Sequence, residues 1–210
     1  MFKSLDDAHT HNAIEIIKND HSKVKKLFED FEKATDKRLK KKIADEAIME
    51  LEIHAEIEEN IFYPSVRKNV EEDLMNEADE EHHVAKLLIA ELDQMDGSES
   101  HWEAKFTVLA ENIKHHIREE EGEMLPQARK INADFDAIGQ KLLRMKKVLL
   151  ENGVPTSDEE RLMKGKVKAA DSPAKAAKKK SAKILSHKNK PIKKMRVAKK
   201  AKGQRSRKVS

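Results

Sequence analysis

Two stretches of the chain carry the same arrangement of ligand-type residues. They are Ile53-His54-Ala55-Glu56-Ile57-Glu58-Glu59-Asn60-Ile61-Phe62-Tyr63-Pro64 and Ile113-Lys114-His115-His116-Ile117-Arg118-Glu119-Glu120-Glu121-Gly122-Glu123-Met124-Leu125-Pro126. In each, a histidine is followed four residues later by a glutamate. On an α-helix, residues four apart project from one face about 6 Å apart along the axis. Each stretch is therefore a two-ligand clip for a metal. In both copies the histidine lies on the apolar stripe: Ala47, Leu51 and Ile61 are in helical phase with His54, and Leu109 and Ile113 with His116. A polar group set into a core face needs a partner there.

Each clip is preceded by one more histidine in a similar setting. Asp20-His21 aligns with Glu81-His82, and the separations to the clip histidines nearly agree, 33 residues from His21 to His54 and 34 from His82 to His116. The region reads as two copies of one helix hairpin, each supplying His, His and Glu.

Residues near 11 to 34 carry Ile14, Ile17, His21, Val24, Phe28 and Phe31 at spacings of three and four, which predicts an amphipathic helix. A second helix follows the cap Thr35-Asp36 and runs to about Val66, with Pro64 expected to bend or end its last turns. A third spans about Glu71 to Gln94. Asp96-Gly97-Ser98 closes it and caps a fourth, about Glu99 to Lys130, and a shorter fifth covers about Asp134 to Leu150. The expected fold is all-α: an antiparallel up-down-up-down four-helix bundle with a short fifth helix. Asn152-Gly153-Val154-Pro155 ends the expected domain, residues 1–152, and residues 153–210 are expected to form a disordered basic tail.

Charge supports that division. Residues 1–152 carry 23 Lys/Arg and 35 Asp/Glu, and residues 153–210 carry 20 and 4, so the formal net charge of +4 conceals an acidic body and a basic extension. Without cysteine there is no disulfide framework, thiolate metal site or cysteine nucleophile. No apolar h-region opens the chain and no window approaches a membrane span of roughly 18 apolar residues, so the expected location is cytoplasmic, with nucleoid association suggested by the basic extension.

At the centre of such a bundle the apolar stripes meet, which places His21, His54, Glu58, His82, His116 and Glu120 at similar depth. Four imidazoles and two carboxylates without sulfur suit iron or manganese more than structural zinc, and a bundle core is an established place for a carboxylate-bridged metal pair. One ion is assigned to His21 and His54 and the other to His82 and His116, with Glu58 and Glu120 bridging. Trp102, Phe28, Phe31 and Phe106 read as core. His83 and His115, one residue off the stripe, are expected to face outward, and His9, His11, His101 and His187 to be surface or tail residues. Glu59 and Glu121 are expected as solvated neighbours of the clips.

His21, the two His-x-x-x-Glu clips with Glu59 and Glu121 following, Pro64 and Pro126, and the internal duplication resemble the hemerythrin-like, or HHE cation-binding, family over roughly residues 11–150. The resemblance implies a four-helix bundle around two non-haem iron ions that bind dioxygen, nitric oxide or peroxide, or sense oxygen or iron. The oxygen carriers of the family have a further histidine one turn after the ligand corresponding to His82, where this chain has Ala85 and Lys86. They also have aspartate where it has Glu120. These departures favour sensing, iron handling, or oxidase or peroxidase chemistry over reversible carriage.

Residues 161–210 hold 20 Lys/Arg against the single acid Asp171, and the run from Ser172 to Lys183 resembles the Lys/Ala/Pro-rich tails of linker histones and histone-like bacterial proteins. Such cation density binds the phosphate backbone of DNA or RNA without reading sequence. The alternatives are a merely solvating tail, an anionic membrane surface, or an architectural nucleoid protein whose bundle is a scaffold.

Overall fold

A computed structural model describes residues 11–163 of the chain. His9, His187 and the expected nucleic-acid-binding segment from residue 164 onward lie outside the described residues.

Among the described residues the regular elements are all helices, joined by short loops. The helices are α1 (Ala13–Lys33), α2 (Lys37–Ile57), α3 (Tyr63–Val66), α4 (Glu72–Leu92), α5 (Trp102–Glu119), α6 (Leu125–Ala128) and α7 (Phe135–Asn152). Their starts follow local chemistry. Asn12 accepts the Ile14 N–H at 3.1 Å, Asp36 accepts the Leu39 N–H at 2.8 Å as the expected cap of α2, and Asp134 accepts the Ala137 N–H at 2.8 Å. Each such cap contributes about 1 kcal/mol. The fourth helix starts later than expected, at Trp102, because Asp96 and Glu99 bind the loop's own backbone instead of capping a helix: Ser98 N–H donates to Asp96, and the Asp96 and Gly97 N–H groups donate to Glu99. Gly97, at φ 88°, supplies the left-handed residue that this turn needs.

α1 packs on α2 and α4 on α5, forming the two predicted hairpins of an antiparallel four-helix bundle, and α7 lies against α1 and α2. The core is in two parts. One holds Ile14, Ile17, Ile57, Phe62, Met75, Met124 and Leu142; the other holds Val24, Phe28, Phe31, Ala47, Leu51, Trp102, Phe106 and Ile113. Phe31 and Phe106 pack at a tilt of 43° with ring centroids 4.3 Å apart in the second part. Between the two apolar parts runs a layer of buried polar side chains: His21, His54, Glu58, His82, His116 and Glu120.

The second rod ends its α-helix at Val66, two residues after Pro64, as expected. After the clip glutamates the helices widen into π-turns, Glu58–Phe62 and Glu120–Met124, before continuing as α3 and α6 with Pro64 and Pro126 in their first turns. Proline has no N–H to give to the carbonyl one turn back, and the strand of hydrogen bonds is carried past it by i→i−5 bonds from Tyr63 to Glu58 and from Leu125 to Glu120.

α7 makes a close backbone approach to the start of α1. A Cβ on Gly139 would lie 1.5 Å from the His11 carbonyl oxygen, so only glycine fits. After Asn152 the chain turns at Gly153 (φ 82°) and continues as a strap to a helical turn at residues 158–163. Ser157 and Glu160 form a capping box there, and Glu159 accepts from the His83 Nδ1 at 2.6 Å.

Candidate metal centre

The six predicted ligand residues fall into two groups. His21, His54, Glu58 and Glu120 form one, and Glu58, His82 and His116 form the other, each with ligand atoms within 4.8 Å of one another. Glu58 belongs to both groups, whereas Glu120 belongs to the first. Each is no more than 5% exposed. A third trio, Glu81, His115 and Glu119, contains the half-exposed His115 and faces outward.

The histidines are held from behind. His21 Nδ1 lies 3.0 Å from Glu121, His82 Nδ1 2.9 Å from Glu59, and His116 Nδ1 2.8 Å from Glu81; His54 Nδ1 faces Asp20 at 3.7 Å. An ionised carboxylate can only accept, so in the three hydrogen-bonded rings Nδ1 carries a proton and Nε2 is the nitrogen turned inward. The carboxylates are themselves tied to cations: Glu121 to Lys25, Glu59 to Lys86, and Asp20 to Lys146 from α7.

The pattern repeats with the sequence duplication. The acid just before each outer histidine, Asp20 or Glu81, faces the clip histidine of its own hairpin. The acid just after each clip, Glu59 or Glu121, reaches the outer histidine of the other hairpin. Glu59 and Glu121 are thus not solvated neighbours, as their sequence positions suggest, but supports for His82 and His21. The sequence signals were an acid preceding His with Lys four residues later, and a second Glu after each clip. Their partners lie on other helices, which local spacing does not reveal.

Inside the layer, polar atoms crowd together at close range. His82 Nε2 and His116 Nε2 are 3.3 Å apart, His21 Nε2 is 3.1 Å from Glu120 Oε2, and His54 Nε2 is 3.2 Å from Glu58 Oε2. Buried atoms of His21, His54, Glu58 and Glu120 have no hydrogen-bond partner among the described residues. Each such group costs about 1–3 kcal/mol when buried unsatisfied. Lone pairs and carboxylates converging in this way fit a bound cation, and the nitrogen and oxygen donors suit a transition metal.

The electrostatics show the same strain. Burial, with repulsion from Glu120, pushes the Glu58 carboxyl well above the usual range. Burial acts likewise on Glu120 but is outweighed by His21, His116 and His54, which hold it at about 2. Burial pulls the His54 imidazolium down to about 4 despite Asp20. His21 also loses hydration on burial, yet Glu120, Glu58 and Glu121 raise it above the ordinary histidine value.

One buried group was not anticipated. The Tyr63 hydroxyl lies 3.3 Å from Glu58 Oε2 and 3.4 Å from His82 Nε2, and burial beside Glu120 and Glu58 raises it well above the ordinary phenol value. In an unbroken α-helix, residues five apart point about 140° apart. The π-turn between them closes on the fifth residue and brings Tyr63 back to the Glu58 face. Leu125 occupies the equivalent place in the second copy, so the duplication is broken here.

His83 and His115 are half-exposed and His11 and His101 exposed, as expected, and Phe28, Phe31, Trp102 and Phe106 are core. Among the described residues no helix is long and apolar enough to cross a membrane.

Comparison with known proteins agrees with this architecture. The chain is similar to a crystal structure of a Hemerythrin HHE cation binding domain-containing protein from Mycobacterium kansasii, at 26% identity and a TM-score of 0.56, covering 68% of this chain and 94% of that one. It is 27% identical over 118 residues to a DNA nickase of Nostoc sp. (strain PCC 7120 / SAG 25.82 / UTEX 2576), a match that covers 56% of this chain and 34% of the relative. The chain therefore spans about a third of that relative's length. The profile described as Hemerythrin HHE cation binding domain matches residues 12–128. With that match running from the start of α1 to the end of α6, and the paired His/Glu layer lying within it, the protein belongs to the hemerythrin HHE cation-binding domain family.

Proposed function

We propose that the protein is a non-haem di-iron protein that binds or senses dioxygen, nitric oxide or peroxide, or handles iron, close to nucleic acid. The observation that carries this reading is the pair of buried His/Glu groups sharing Glu58, with their inward atoms unpartnered. His21, His54, Glu58 and Glu120 would hold one ion, and His82 and His116 the other with Glu58 in common. The donor set suits iron, with manganese the nearest competitor. When bound, iron supplies electron transfer to small oxidants and a Lewis-acidic seat for them.

The chain's own part is positioning and proton handling. Glu59, Glu81 and Glu121 fix their histidines so that Nε2 faces inward, and the two apolar core clusters exclude bulk water from the layer. Tyr63 is placed to hold or pass a proton at Glu58 Oε2. The test is metal content after changing His54 and His116 to alanine: iron should be lost while the helical circular dichroism persists. Full iron loading in that variant contradicts the assignment.

A role beside nucleic acid is supported by the basic residues 161–210 and by the name of the Nostoc relative. The tail would engage the phosphate backbone of DNA or RNA without base readout. Removing residues 164–210 should abolish binding to duplex DNA at low salt. Retained binding would place the interaction on the acidic bundle and overturn this part of the reading.

A further inference from the structure

The second clip has a companion one residue earlier. His115 and Glu119 stand four apart on α5, as His116 and Glu120 do, so two His-x-x-x-Glu pairs overlap there. A step of one residue turns about 100° round a helix, which sets the first pair on the outer side while the second faces the buried layer. Glu81 of α4 closes the outer pair into a trio. His115 Nε2 lies 3.3 Å from Glu119 Oε1 and 3.7 Å from Glu81 Oε1. The other oxygen of Glu81 holds His116 Nδ1 at 2.8 Å, so one carboxylate serves both the outer trio and the support of an inner ligand.

The first hairpin has no counterpart. Its positions matching His115 and Glu119 are Ile53 and Ile57, buried in the core cluster that takes Ile138, Leu142 and Leu149 from α7. The matching acid, Asp20, is tied to Lys146 of the same helix. In the second hairpin these positions meet solvent, His115 being 49% and Glu119 30% exposed. Exposure asks only for polar side chains; it does not ask for an imidazole and two carboxylates converging within 4.8 Å. Of the four carboxylates behind the buried histidines, Asp20, Glu59 and Glu121 each pair with a lysine, whereas Glu81 faces His115 and His116. Among the described residues no lysine or arginine pairs with Glu81 or Glu119, which leaves their charge to attract a cation.

A narrow space leads inward from the trio. It measures about 10 Å³ and is lined by the partly exposed Glu81 and Glu119 and by the buried His116 and Glu120. Both carboxylate oxygens of Glu120 lack a hydrogen-bond partner among the described residues. The space is roughly that of one water-sized sphere. A fully hydrated divalent ion does not fit it and can pass only by exchanging water for protein donors, which the trio supplies at the mouth.

We infer that Glu81, His115 and Glu119 form a separate, exchangeable site for a divalent first-row transition metal ion, where the ion is captured and loses water before it passes to His116 and Glu120. Nitrogen and oxygen donors without sulfur suit that class of ion. The ion's destination rests on the metal-centre reading above; the outer site does not.

Cobalt(II) alone is the probe, added to the metal-free full chain. Calorimetry should count three ions, the third weaker than the others, and only two in H115A or E119Q. Filling of the buried pair, followed by stopped-flow absorbance, should slow by about tenfold in both variants at unchanged final occupancy. E46Q, which removes one charge from an exposed position on α2, should match the native rate. Two ions in the native chain, or a third retained in both variants, overturns the outer site. Native filling rates in both variants, or equal slowing in E46Q, overturn its part in capture. A native chain that binds a single cobalt, lost in H115A, overturns instead the reading of the buried layer as a metal pair and leaves the outer site standing.

Discussion

The four ligand-type histidines are controlled by carboxylates, and that control can be measured residue by residue. Replacing Glu59 or Glu121 by glutamine removes the acceptor charge behind His82 or His21 while keeping the shape. Each change should lower metal affinity by about 10–100-fold with little change in folding. Competition with a chelator checks this, and unaltered affinity in both variants would show the contacts to be incidental. The pKa shifts make a second statement. Without metal, burial and Glu120 push the Glu58 carboxyl well above the usual carboxylate range, and His21 is raised by Glu120, Glu58 and Glu121, while His54 is pulled down to about 4. Both shifts favour the protonated, non-ligating forms, so metal binding should release protons and metal affinity should rise as pH rises. For the metal-free fold the sign is opposite. A raised Glu58 stabilises it in acid, below the unfolded-state value, and that contribution is lost as pH climbs through the raised folded value. Calorimetry in buffers of different ionisation enthalpy reads the proton release directly, and a value of zero would contradict the assignment of Glu58.

At the scale of elements, the sequence is informative where periodicity carries the signal and silent where long-range packing does. The apolar stripes of α1, α2, α4 and α5, with a histidine set into each, were legible because helix period and burial agree. Tyr63 was not, since its approach to Glu58 depends on the π-turn ahead of Pro64. Gly139 in α7 reads locally as a weak point, yet it is the contact surface against the His11 carbonyl. G139A should therefore destabilise the fold by about 1–3 kcal/mol through overpacking, although alanine is the better helix former. A denaturant midpoint equal to or above that of the native protein would show that α7 is not seated as described. The strap at 153–163 reads as a boundary from its Gly and Pro, and its anchor to α4 through Glu159 and His83 is a contact between residues 76 apart in sequence.

The whole molecule joins an acidic helical bundle to a basic extension in one sequence, and the two parts can be tested separately. If about eight cations of the tail engage duplex DNA, the log–log dependence of affinity on salt should have a slope near −7. A slope near zero would return the tail to a solvating role. The bundle's claim is metal. The most direct test is iron per chain in the anaerobically purified full-length protein, with its optical spectrum before and after exposure to air. A di-iron centre gives about two irons per chain and new near-ultraviolet bands on oxidation. A metal-free core, or one zinc with no spectral change, would contradict it.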